Sequence, residues 1–504
     1  MNKSRSIRAL ELPAVCDHRY TMNEAEIQPQ ERPGLRRQLG LGDLVLAQVL
    51  CVVGTSWVGV AAGLGRAQML FWAGAMLAFY LPMAASVIGL NREMPLEGGL
   101  YVWARRAFGD LGGFLTAWNI LIYAIAVTAA ILYAIPSEIA YLIGPSAAWL
   151  PENRLASLAI VTATVAGVAI AAILGLDVGK WVQNIGGIAI LAVFGALILL
   201  PLWGLAHHQP IHWSPLSFTA PPRDLRTMAL FGQIMFGGLC GLEYIAILAG
   251  ESKQPARTIG QSVWIASPVI CAMFILGTST VVAYVPLNSI DFIAPIPQTM
   301  RVALGQTGVG NLIAITAIFL IELRLLGAAS MMFTGATRLP MTAGWDELVP
   351  RWFARLHPQL RTPVNSIVSM AALVFALLVL ANVGVHAQEA YQLLSNASTT
   401  HYEIAYLAMF AVPLFGRSAL RRKLPSWLKL TSIAGVISTL FSLLISAYPY
   451  VNVVNARTYA MKIVGTVLVS NCVALAFYWA RTSVKQGTND RMSRSTELHR
   501  EETQ

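Results

Sequence analysis

Apolar runs of about 20 residues, separated by short polar connections, recur from about residue 42 to residue 480. As a helix rising 1.5 Å per residue, each run is long enough to cross a hydrocarbon core of ~30 Å. The pattern predicts about twelve spans, at 42–64, 69–90, 112–142, 155–175, 181–205, 227–249, 261–285, 311–337, 365–384, 390–414, 428–448 and 459–480, with the third open to an earlier start near Gly98. Two of these runs are not uniform. The first is interrupted at its centre by Gly54, Thr55, Ser56 and Trp57, followed by Gly59. The sixth is interrupted from Phe236 to Gly241, with Gly237, Gly238 and Cys240 between them and Glu243 just beyond.

Glycine lets a helix open, and an opened helix exposes backbone groups that hydrocarbon cannot solvate, so the opening must face protein or a polar cavity. Close helix packing explains either glycine motif taken alone. A matched pair, one opening each of two five-span halves, points instead to an inverted-repeat transporter with a midplane site. The half-helix that begins after a break aims unpaired amides at the cavity and suits a carboxylate. The half-helix that ends at a break offers free carbonyls and suits an ammonium or a cation. The expected fold is therefore an all-α polytopic membrane protein with a five-plus-five inverted repeat, broken helices 1 and 6, and two additional carboxy-terminal helices. Its layout would be an amino-terminal tail (1–38), a first repeat (39–205), a loop (206–226), a second repeat (227–414), spans 11 and 12 (415–480) and a polar tail (481–504), which reads as disordered.

Composition agrees with a membrane protein. The chain has 504 residues, 56% hydrophobic and 12% charged, about half the charged fraction of a soluble protein. The net charge of +10 would suit nucleic acid, but the basic residues lie in short loops and tails and form no nucleic-acid-binding module. Most of the 35 lysines and arginines fall in the two tails and the even-numbered connections. That places both termini in the cytoplasm of a multi-pass cell-membrane protein. Arg36-Arg37, Arg105-Arg106 and Arg421-Arg422-Lys423 are most simply topology signals, with anionic lipid as a secondary partner. The five cysteines have no paired spacing and are expected as free thiols. The loop holding His207, His208 and His212 lacks a carboxylate or cysteine to complete a metal set. No H-E-x-x-H or G-x-S-x-G motif and no cofactor pattern points to an enzyme.

Charge inside the spans is costly and usually functional. Glu322 and Arg324 sit near the middle of span 8, two residues apart, so they point about 200° away from each other. Each then needs its own partner: for Arg324 a carboxylate from another span, or for one of the two a charged substrate. His401 and Glu403 follow the polar run Ser395–Thr400 in span 10, and both residue types can exchange protons when buried; a hydrogen bond across a helix interface explains His401 equally well. Glu138 reads as solvated at the end of span 3. Asp43 and Glu97 read as capping or loop residues. Tyr123 or Tyr133 is a candidate to line the pocket.

Five stretches resemble the amino acid, polyamine and organocation (APC) superfamily of transporters. They are the Gly54-Thr55-Ser56 break, Pro95 to Asn119, Gly241-Leu242-Glu243 to Ile259, Ala336 to Ile367, and Ala405 to Gly416. Together they run through nearly the whole membrane domain in the family's order. The resemblance implies alternating access and an amino acid or amine bound between spans 1, 3, 6, 8 and 10. By position, Gly54, Thr55 and Ser56 would meet the substrate carboxylate, the Phe236–Gly241 backbone would meet the amino group, and Glu243 would serve proton or gate coupling. Three departures stand out. Ser56 and Trp57 replace a second glycine and narrow the pocket; Gly237 stands where the family often keeps an aromatic gate, with Phe236 before it; and Val182 to Trp203 carries no lysine. The function expected is a permease for an amino acid or related amine, coupled to protons or working as an exchanger. The alternative is a membrane sensor that binds without transport, although the two short tails offer no output domain.

Overall fold

The computed structural model describes residues 40–94, 99–209, 224–243, 255–339, 355–381 and 385–501, with residues 211, 222, 352 and 353 between them. All belong to the second of two compact units, 37–504. Among the described residues every regular element is helical, and nine helices are long and apolar enough to cross a membrane. The bent pair Leu41–Val52 and Thr55–Ala62 makes ten. Ala387–Phe415 is long enough but polar at its centre. Leu225–Phe236 is the first half of span 6, whose course is described to Glu243. Each of the twelve expected spans thus has its helix. Successive spans reverse direction, so the connections after odd-numbered spans share one side, called the odd side below.

Three short helices escaped the hydropathy pattern because none is long enough to cross a bilayer: Leu100–Phe108, Pro295–Leu304 and Ser418–Lys423. The first of them removes the earlier start near Gly98 considered for span 3, whose helix begins at Asp110, close to the expected 112. Gly109 takes φ +84° between it and Asp110–Ile143, a conformation that L side chains resist. The turn is held by the Arg105 Nε to Asp110 contact at 2.7 Å. Span 2 runs from Gly65 to Glu93 and carries one π turn, Met76–Tyr80. The last helix continues to Glu501, so the segment after Arg481 is helical rather than disordered. It holds one glycine and no proline, and its lysine, arginine, glutamine and glutamate favour a helix.

Small residues bring the central helices close. A Cβ on Gly186 of span 5 would meet the Cα of Gly327 in span 8 at 3.1 Å, and one on Gly187 would meet Leu46 of span 1 at 3.3 Å. This close approach sets span 5 against both span 1 and span 8, the latter one helical turn from Arg324. Spans 11 and 12 are bonded to the core as well. Trp118 and Asn119 of span 3 reach Ser470 and Asn471, and Asn396 of span 10 donates to Tyr459 Oη at 2.7 Å. Cys51, Cys240, Cys271 and Cys472 are free thiols.

Candidate functional site

Both interruptions open the backbone. Leu41–Val52 ends, Val53 (ψ 93°) and Gly54 (ψ 133°) are extended, and Thr55–Ala62 begins with no side-chain cap at a bend of 45°. Its first-turn amides are therefore available at the break. The Val53 carbonyl is taken by Arg324, whose Nη2 donates to it at 2.8 Å. The arginine is 5% exposed and satisfies a carbonyl that the broken helix leaves orphaned. The carboxylate partner considered for Arg324 is not within ion-pair distance among the described residues; span 8 presents its guanidinium to backbone instead. Ser56 Oγ accepts from Tyr391 Oη of span 10 at 2.7 Å.

The span 6 break is wider. The helix ends at Phe236, Gly238 N reaches back to Gln233 O at 3.1 Å, Cys240 N bonds Phe236 O at 2.9 Å, and Gly241 takes φ +107°. Gly241 N donates to Tyr406 Oη at 3.0 Å, and that hydroxyl in turn donates to the Glu243 carboxylate. Glu243 is thus tied to the break through one tyrosine, with Oε1 unpartnered among the described residues. Cys51 Sγ, from the end of the first half-helix, donates to Gly241 O at 3.5 Å, linking the two breaks directly.

Trp57 lies between them. A Cβ on Gly54 would meet its ring at 2.5 Å and one on Gly237 would meet it at 2.4 Å, so the indole folds into room that only glycine leaves on both spans. Phe236 is fully buried, 4.9 Å from the rings of both Phe79 and Tyr406. Tyr123 of span 3 stacks on Tyr402 at 3.7 Å, which places it beside the breaks. Tyr133 lines a cavity of about 270 Å³ at the odd side with Glu152 and Arg154.

The remaining candidates are dispersed. Glu322 is half-buried with Oε1 unpartnered among the described residues and does not pair with Arg324. His401 binds its own helix through Nδ1 to Ala397 O at 2.7 Å, leaving Nε2 unpartnered among the described residues. Glu403 faces span 11, where the Ser442 hydroxyl stands between its carboxylate and Gly232 O of span 6. His401 and Glu403 are not hydrogen-bonded to each other. Asp43 caps Gly40 N at 3.0 Å as expected and lies 3.5 Å from Lys180. Glu97 and His212 fall outside the described residues. Glu138 is a correction: it is fully buried rather than solvated, because spans 8 and 10 cover this end of span 3. Tyr391, Tyr402 and Tyr406 were missed, although 402 and 406 are four apart and share a helix face.

A family model described as amino acid permease matches residues 44–469. The chain belongs to the amino acid permease family. It is 25% identical to an uncharacterized transporter of Legionella pneumophila, over 75% of this chain and 81% of the relative. It is 26% identical to a probable agmatine/putrescine antiporter of Lactococcus lactis, over 62% of this chain and 65% of that one. With a branched-chain amino acid permease of Bacillus subtilis it shares 22% identity over 65% and 71%. Among solved structures, that of MhsT in complex with L-phenylalanine superposes with a TM-score of 0.53 at 14% identity, covering 82% of this chain and 99% of that one. This permease is thus a multi-pass membrane transporter of amino acids or amines, with the fold of MhsT, and the resemblance carried by its five stretches is a family relationship.

Proposed function

We propose that this permease moves an amino acid or related amine across the cell membrane by alternating access, holding it between the two breaks. The observation that carries this reading is the pair of opened helices joined by Cys51 and Gly241. The uncapped start of Thr55–Ala62 supplies amides and a positive dipole end for a carboxylate. Phe236 to Gly241 supplies backbone for the amino group, and Trp57 limits the size of what fits. Relatives named for agmatine/putrescine exchange and for branched-chain amino acids bracket the substrate class.

Proton coupling through buried carboxylates is the favoured drive, with solute exchange as the second mode. Glu243 is the best-placed coupling residue, since it shares Tyr406 with Gly241. Glu322, Arg324, His401 and Glu403 complete the coupling set. Both termini lie in the cytoplasm, which makes the odd side extracellular.

The test is counterflow with purified protein in liposomes preloaded in turn with each amino acid and common polyamine, under pH gradients of both signs. Accumulation with one preload names the substrate, and its response to the gradient separates proton symport from exchange. Binding without accumulation under any gradient would replace the carrier with the sensor.

A further inference from the structure

Glu138 is fully buried on span 3, and neither carboxylate oxygen has a hydrogen-bond partner among the described residues. An ionised carboxylate so placed has no compensation for the water it has lost, whereas the neutral acid has little to compensate. A second orphan lies near it. Arg324 lies on span 8, which packs on span 3, and its charge acts on Glu138 without an ion pair; its Nε has no partner among the described residues, while its Nη2 holds Val53 O at the span 1 break. Two packed spans thus hold a buried acceptor without a donor and a buried donor without an acceptor among the described residues, and the donor's other arm ties the broken helix.

The other charged and titratable groups facing Glu138 are already engaged or negative. Asp291, before Pro295–Leu304, accepts from Tyr141 Oη at 3.2 Å and from the amides of Ile293 and Ala294. Arg301, on that short helix, is held by Tyr141 O, Leu142 O and Asn311. Tyr391 of span 10 donates to Ser56. Glu322 of span 8 adds a second carboxylate. Val364–Ala381 of span 9 has no titratable residue, and Arg154–Leu174 of span 4 has only Arg154 at its end. Among the described residues Arg324 is the arginine that is both buried and left with an unpartnered Nε; Arg301 keeps N–H groups beyond its three bonds but is not buried.

We infer that Glu138 is a proton-binding site of the transport cycle and that Arg324 moves between two partners, holding the Val53 carbonyl when Glu138 is protonated and pairing with Glu138 when it is not. The inference rests on the carrier reading and adds to it a proton site in span 3 that acts on the span 1 break, beside the one expected at Glu243 in span 6. Loss of the proton makes a carboxylate that draws the guanidinium away from Val53. The end of the first half-helix, including Cys51 and its bond to Gly241 O, is then released. Arg324 acts as a positioning residue, because it works through the break.

Cys51 is a native reporter of that release. The experiment labels full-length protein in lipid nanodiscs with N-ethylmaleimide between pH 5.5 and 8.5, and takes the ratio of Cys51 to the exposed Cys472 by peptide mass spectrometry. The wild-type ratio should rise about fivefold or more with pH, the change that a shift of ~1 kcal/mol in the opening equilibrium produces. In Glu138→Gln it should stay flat, and Glu138→Asp should restore the rise, which a merely misfolded site would not do. A wild-type ratio that does not change, or a Glu138→Gln profile like that of the wild type, overturns the inference. Counterflow on the wild type separates the two claims: accumulation of a preloaded solute alongside an unchanged Glu138→Gln profile leaves the carrier standing and removes the proton site, whereas no accumulation with any preload removes both.

Discussion

The two breaks look alike in sequence and are built differently. In span 1 two extended residues separate the half-helices, and the freed carbonyl of Val53 is held by a cation, Arg324 of span 8. In span 6 the backbone is open from Phe236 to Gly241, and the freed amide of Gly241 is held by a neutral hydroxyl, Tyr406 of span 10, which passes the bond on to Glu243. At span 1 a freed carbonyl thus meets a charged donor and at span 6 a freed amide meets a neutral acceptor, each from a neighbouring span. An ionisable group stands behind each, Arg324 at span 1 and Glu243 at span 6.

The largest expected effect tests whether the wider break needs its left-handed glycine. Gly241→Val places a side chain at φ +107° with Cys51 Sγ 3.0 Å from its Cβ; strain of about 1–3 kcal/mol should cut substrate affinity roughly 10- to 100-fold in a binding assay. Gly54→Val should cost less. Its Cβ meets only the Trp57 ring, a side chain that can swing aside. Equal losses at the two glycines would erase the difference between the breaks.

Arg324→Gln tests the charge at span 1. It removes the guanidinium from Val53 O and should cost about 1–3 kcal/mol, seen as a lower unfolding temperature in detergent. Glu243→Gln tests the charge at span 6, and Glu403→Gln serves as its comparison. Both should flatten the pH dependence of uptake while the protein stays in the membrane, Glu243→Gln the more strongly because Glu403 faces span 11. Normal pH dependence in both would remove them from the proton route. The smallest change is expected from Tyr391→Phe, which deletes one neutral bond to Ser56 and about 0.5–1.5 kcal/mol; a loss as large as that of Arg324→Gln would mean that the hydroxyl, not the charge, holds span 1.

Much of this was legible along the chain. Span limits fell within a few residues where apolar runs were bounded by polar connections, because length and hydropathy are properties of the chain itself. The extra helices were not legible: Leu100–Phe108 depends on the conformation of Gly109, and the π turn in span 2 has no local sequence sign. Of the site, the glycines and Glu243 announced themselves as polar or small residues inside apolar runs. Glu138 announced itself too but was misplaced, since its position near a helix end says nothing about which neighbours cover it.

Sequence alone therefore determined that the chain spans a membrane, where two of its helices must open and which residues put charge inside it, since hydrocarbon imposes the same cost on any backbone or charge that enters it. Only the tertiary structure decided what meets each opening. Whether Arg324 finds a carboxylate or a carbonyl, whether Trp57 fits between two glycines 183 residues apart, and whether Glu138 meets water or protein are set by contacts between spans distant in sequence, and no local pattern records them.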